Sequence, residues 1–104
     1  MRHSRGYVRF EWDENKNQSN RVKHRLSFET ALLVFDDPLA LSEQNRFENG
    51  EERWLTIGLV DAVLLVSVAH TYRFDIEMQE EIFRIISARR ATPEEVKRYE
   101  NSYR

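Results

Sequence analysis

From Leu39 to Ala88 the chain reads as four strands in succession, with no helix between them. Glu48-Asn49-Gly50-Glu51 contains Asn-Gly, a pair that tolerates the positive φ angles of a two-residue hairpin turn. Before it, Leu39 to Phe47 is moderately apolar. After it, Leu55, Ile57 and Leu59 alternate with Trp54, Thr56 and Gly58, the period of a strand with two distinct faces. Val60-Asp61-Ala62 turns the chain. Val63 to Tyr72 begins almost wholly apolar, as a central strand covered on both faces does. The acidic stretch from Arg73 to Gln79 reads as a loop, and Glu81 to Ala88 as the last strand. Three short connections in a row make an antiparallel meander.

Helices flank that meander. Tyr7 to Trp12 sets Val8, Phe10 and Trp12 against Arg9 and Glu11, a strand with one buried face. Asp13 is a helix N-cap, and Lys16 to His24 is helix-compatible but polar, with Val22 its one apolar residue. Ser27 caps a second helix whose Phe28, Ala31, Leu32 and Phe35 share a face, and Asp36-Asp37-Pro38 ends it. Thr92-Pro93-Glu94-Glu95 is a capping box with proline at the first helical position. It opens a third helix from Pro93 to about Tyr103. The fold class is therefore α+β: an antiparallel sheet of four to five strands, two N-terminal helices and one C-terminal helix. With 104 residues there is one domain, residues 7–104, preceded by a polar, basic tail or leader at residues 1–6.

Cysteine is absent, which removes disulfides, thiolate chemistry and cysteine-ligated metals, and fits a reducing cytoplasm. No stretch approaches the ~18 apolar residues of a membrane span. There is no Walker A loop, dinucleotide glycine motif, nucleophile elbow or His-x-x-x-His pair. The formal net charge is −2 and the pI about 5.9, so a nucleic-acid site must be local rather than a basic coat. The charges do segregate: residues 84–90 hold arginines without acids, and residues 75–81 hold acids without bases.

RNA cleavage without a metal needs a base for the 2′-hydroxyl, fixed cations for the phosphate, and an acid for the leaving 5′-oxygen. Arg84 interrupts an apolar strand and needs a partner or a ligand there. Arg89 has the opposite parity, so the two share a site only if the strand ends or bulges near Ser87. Glu11, Glu43 and Glu95 are the carboxylates that would otherwise neutralise them. His24, at the end of the first helix, is a base or a cation facing the helix dipole. His70 is a base or a histidine hydrogen-bonded to backbone. Tyr99 is a functional phenol or a packing residue. Trp12 and Trp54 are core or interface anchors, or platforms for bases. Lys16 and Lys23, seven apart on one helix face, form a phosphate rail or a solvated surface. Arg53 and Arg73 flank strands and can meet phosphate. Glu52 and Glu95 can act as bases, but form no recognised pair.

The pattern Phe10-x-Trp12-Asp13-x-x-Lys16-x-x-x-Asn20-x-x-Lys23-His24, then Phe28-x-x-Ala31-x-x-x-Phe35-Asp36-Asp37-Pro38, Arg53, Gly58 and Arg84-Ile85-Ile86-Ser87-Ala88-Arg89 through Glu95 and Tyr99, resembles the BrnT family of bacterial ribonuclease toxins. That resemblance implies a RelE-like, metal-independent endoribonuclease that cleaves RNA and arrests translation in the bacterial cytoplasm, with no cofactor. It implies Arg84, Arg89, His24, His70 and Tyr99 as catalytic candidates and Lys16, Lys23, Arg53 and Arg73 as RNA contacts. It also implies a cognate BrnA-like ribbon-helix-helix antitoxin, paired with the toxin as a heterotetramer, through which alone the toxin meets DNA. The alternative is a decayed toxin that only binds its antitoxin. Where the family often has glycine after Lys-His, this chain has Arg25. Arginine is strained in the left-handed region, so a different helix end is expected there.

Overall fold

Apolar alternation along the central strands demands cover on both faces of a sheet, and the flanking helices supply it unequally. The structure is a computed structural model that describes residues 2–5 and 7–103. Met1, Arg104 and the boundary read at Gly6 lie outside the described residues. The elements run β1 (Arg2–Arg5), β2 (Val8–Glu11), α1 (Glu14–His24), α2 (Phe28–Ala31), a 3₁₀ turn (Leu32–Asp36), β3 (Leu41–Glu48), β4 (Glu51–Val60), β5 (Leu64–Asp75), β6 (Glu80–Arg90) and α3 (Pro93–Ser102). They form one sheet in the order β1-β2-β6-β5-β4-β3. No helix among the described residues is long and apolar enough to cross a membrane.

The β3–β6 meander is antiparallel throughout. Its first turn has φ of 53° at Asn49 and 77° at Gly50, the left-handed pair that Asn-Gly favours. β5 and β6 run longer than their apolar runs, taking in Arg73–Asp75 and Glu80, so the acidic loop shrinks to a tight turn. A wholly antiparallel sheet is not what forms. β2 lies parallel to β6, with Val8 opposite Glu81 and Glu11 opposite Arg84. Side-chain alternation has the same period in either direction. Direction is set instead by the crossover through α1 and α2, which returns the chain to the far side of the sheet.

One face of the sheet carries Phe10, Val66, Val68, Ile85 and Ala88 and is covered by Leu26, Phe28, Ala31, Leu32 and Val34. Gly58 permits this close approach. A Cβ there would stand 2.9 Å from the Val34 carbonyl oxygen and 3.0 Å from Val34 Cγ1. On the opposite face α3 packs against β3 and β4, opened by the Thr92–Glu95 capping box.

α1 is almost wholly polar, so apolar burial does not hold it down. Two buried asparagines do. Asn17 accepts from the Phe28 amide and donates to Glu14 and Glu29. Asn20 donates to the carbonyls of Leu26 and Ala88, both at 2.8 Å, and accepts from the Ala88 amide at 3.1 Å. The different helix end expected at Arg25 does not occur. Arg25 adopts φ 55° and ψ 37°, and its N–H bonds the Arg21 carbonyl at 2.9 Å. The left-handed turn carries Leu26 into the core at a cost of about 1 kcal/mol.

Candidate nucleic-acid interface

Parity alone sends Arg84 and Arg89 to opposite faces, but the pairing of β5 with β6 slips by one residue between them. Ala69 pairs with Ser87 and the next residue, His70, pairs with Ile85. Ile86 is thus an extra residue on β6, a bulge that resets the alternation. Ile85 and Ala88 both face the helical core, and Arg84 and Arg89 both face the α3 side. The bulge meets the condition set by the sequence, one residue from Ser87.

The same face collects other charges. β2 contributes Arg9 and Glu11, β4 contributes Glu51 and Arg53, β5 contributes Thr71 and Arg73, and β6 begins with Glu80. With Arg46 of β3, which pairs with Arg53, six of the described strand arginines therefore share one side of the sheet in a chain whose net charge is −2. Each meets carboxylate differently. Arg84 uses Nη2 alone, at 2.8 and 3.1 Å from the two oxygens of Glu51, and both side chains are about one-third exposed. Arg89 is held more firmly, with Nη1 and Nη2 on the two oxygens of Glu95 at 2.7 and 3.0 Å. Arg9 is pinned between Glu80 and Glu11. Arg73 is half exposed and stands 3.6 Å from Glu11. Arg53 is half-buried, with its Nε lacking a partner.

Glu95 organises the end of this face. It is 5% exposed and accepts from Ser67 Oγ at 2.7 Å and from the Thr92 amide as well as from Arg89. Burial opposes its ionisation, but Arg89 and the other donors outweigh it and hold the carboxyl at about 2. Glu51 is lowered chiefly by Arg84, with Arg53 adding to the effect. Glu43 takes Arg98 of α3 instead of an arginine of β6.

The other sequence candidates do not join these arginines. Lys16, Lys23 and His24 sit on α1, across the sheet; the lysines are exposed and His24 is half-buried. His70 points into the helical core and is 2% exposed. Its Nδ1–H donates to the Thr71 carbonyl at 3.0 Å, so Nε2 accepts from the Thr56 hydroxyl at 2.7 Å, which in turn meets Ser42 Oγ. Burial drives its pKa down to about 4. Tyr99 is buried on α3 and donates to Asp37 Oδ2 at 2.7 Å; burial and that carboxylate push its phenol up to about 12. Trp12 is a core anchor, edge-on to Phe28. Arg9, Glu51, Thr71 and Glu80 went unremarked as site residues. The signal for Arg9 was present, since it alternates with Val8 and Phe10 and must face away from the core.

These pairs fix an acid sensitivity. His70 folds in its neutral form, with a pKa below that of the unfolded chain. Its contribution is complete above pH ~6.5 and is lost as pH falls to about 4. A shift of this size is worth about 3 kcal/mol. Glu95 adds stability above pH ~4.5 that is lost toward pH 2. Urea midpoints taken from pH 7 to 4.5 should fall, and His70→Gln should flatten that fall. An unchanged slope in the variant would remove His70 as its source.

Residues 12–95 match the family model described as the ribonuclease toxin BrnT of type II toxin–antitoxin systems. Among solved structures, the Brucella abortus ribonuclease toxin BrnT superposes with a TM-score of 0.60 at 28% sequence identity, covering 80% of this chain and 95% of that one. No curated protein sequence matches.

Proposed function

Because this chain belongs to the family of BrnT ribonuclease toxins of type II toxin–antitoxin systems, we propose that it is a metal-independent endoribonuclease that arrests translation by cutting RNA on its arginine-bearing face. The observation that carries the reading is the bulge at Ile86, which turns Arg84 and Arg89 to one side together with Arg53 and Arg73. Guanidinium forks match phosphate oxygens and keep their charge at every working pH.

Arg84 is the group best placed to accept a phosphodiester. It is partly exposed and engages Glu51 through a single nitrogen. A phosphate that takes over Arg84 releases Glu51, which then stands beside it to remove the 2′-hydroxyl proton. The 2′-oxygen attacks phosphorus, the bond to the 5′-oxygen breaks, that oxygen takes a proton from water on this solvent-open face, and the products carry a 2′,3′-cyclic phosphate and a 5′-hydroxyl. Arg89 stabilises charge on the phosphoryl oxygens from the position Glu95 gives it, while Arg53 and Arg73 guide the strand. His70 and Tyr99 take no step, since one is buried and neutral and the other is held to Asp37. Lys16, Lys23 and His24 lie across the sheet on α1 and take no step at the reacting phosphate.

The family has an antitoxin partner. In this reading the partner is a BrnA-like ribbon-helix-helix protein that joins two toxins in a heterotetramer in the cytoplasm and carries the complex to DNA. The sheet and its helices are taken as a RelE-type scaffold. The test is incubation of the purified chain with RNA in EDTA. Fragments ending in cyclic phosphate are expected. Cleavage only with added Mg²⁺ would overturn the metal-independent mechanism, and no cleavage in either buffer would leave an antitoxin-binding module.

A further inference from the structure

The helical face of the sheet is not covered along its whole length. Beyond the 3₁₀ turn, Ser42, Trp54, His70, Tyr72 and Phe83 line an open cavity of about 290 Å³. A second, of about 210 Å³, adjoins it across Phe83 and is walled by Val8, Phe10 and Phe35. Phe83 is the shared floor, with ring centroids 5.3–5.5 Å from Phe10, Phe35, His70 and Tyr72. Sharing Phe83, the two cavities together make a trough whose lining runs over β3, β4, β5, β6 and β2, in their order in the sheet. Phe74, 53% exposed, and Phe47, 68% exposed, extend the apolar surface past Tyr72.

The rim of this trough is acidic. Trp54 Nε1–H donates to Glu52 at 3.1 Å and Tyr72 Oη–H donates to Glu81 at 3.0 Å. Burial and these two carboxylates raise the Tyr72 pKa. Phosphate is repelled from such a rim, and a cationic protein segment is drawn to it. The strands beneath are already paired with one another, so no further strand can add there. Four inter-strand spacings of ~4.8 Å make a trough of ~19 Å, the length of a helix of ~13 residues.

We propose that this trough docks the antitoxin through a basic amphipathic helix, its apolar stripe filling the aromatic floor and its lysines or arginines meeting Glu52 and Glu81. The proposal rests on the toxin reading above and places inhibitor and RNA on opposite faces of one sheet. Inhibition then acts from across the sheet rather than by filling the arginine face.

The probe is the cognate BrnA-like antitoxin of the toxin reading, titrated into the purified chain, with RNA cleavage measured in parallel. Glu81→Lys and Phe74→Ser should each weaken binding at least tenfold and leave cleavage by the toxin alone unchanged. Phe74 is exposed, so Phe74→Ser carries the test if Glu81→Lys does not fold. Binding by both variants at wild-type strength overturns the docking site and leaves the toxin reading standing. Lost cleavage with retained antitoxin binding makes the trough an RNA surface and overturns it as well. A wild-type dimer that Phe74→Ser converts to monomer assigns the trough to a second copy, with the same consequence. A wild-type chain that neither binds the antitoxin nor cuts RNA fails at the earlier step, the toxin reading itself.

Discussion

Replacing Arg84 with alanine should lower RNA cleavage by about 10²–10³-fold, the usual cost of removing one fixed donor from a developing negative charge. The fold should be little affected. Arg84 and Glu51 are each about one-third exposed, and such pairs contribute about 1 kcal/mol or less. Arg89→Ala is a different experiment, although the two residues stand on the same strand and face. It strips the bidentate partner from Glu95, which is 5% exposed and caps α3. Activity should fall with it, and stability should fall by about 1–3 kcal/mol because a buried carboxylate is left short of a cation. Lysine at 84 keeps the charge but loses the fork, and should recover only part of the rate. The measurement is single-turnover cleavage beside a urea titration for each variant. Full activity in Arg84→Ala would remove the arginine face as the reacting site.

The separation of those two arginines by role also marks how far the sequence could be read. Asn49-Gly50 and Thr92 to Glu95 were legible because each is local chemistry: a turn that needs positive φ, and side chains that bond amides three residues away. The meander followed from strand alternation between such markers. The direction of β2 did not, because alternation carries no direction. The bulge at Ile86 did not either, because β6 alone is an unremarkable strand, and the slip exists only in its pairing with Ala69 and His70. His70 shows the same limit. Alternation with Val66 and Val68 puts it on the helical face, but only the 3₁₀ turn and Phe35 packed against it decide that it is buried. Arg25 misled for a local reason. Its strain argued for another helix end, and burial of Leu26 outweighs about 1 kcal/mol of backbone cost.

The bulge needs a support that no strand provides, and this gives the second large effect. β2 pairs with β6 only from Glu81 to Arg84. Past Arg84 that edge of β6 would present bare backbone to the core. Asn20 stands in for the missing strand. Its side-chain amide accepts from the Ala88 N–H and donates to the Ala88 carbonyl, as a paired peptide would, and donates also to Leu26. Only this orientation of the amide satisfies all three groups. Asn20→Ala should therefore cost about 3–5 kcal/mol, since buried backbone groups left unpaired cost about 1–3 kcal/mol each. Asn20→Asp should be no rescue, because a carboxylate cannot donate to the two carbonyls. The loss should reach function before unfolding does. Ala88 lies between Ser87 and Arg89, so a loosened Ala88 lets Arg89 leave the face it shares with Arg84. In Asn20→Ala under strongly stabilising conditions, the Ala88 amide should exchange faster with solvent and cleavage should fall, while antitoxin binding at the aromatic trough persists. Wild-type exchange at Ala88 in that variant would show that β6 holds its bulge without help from α1.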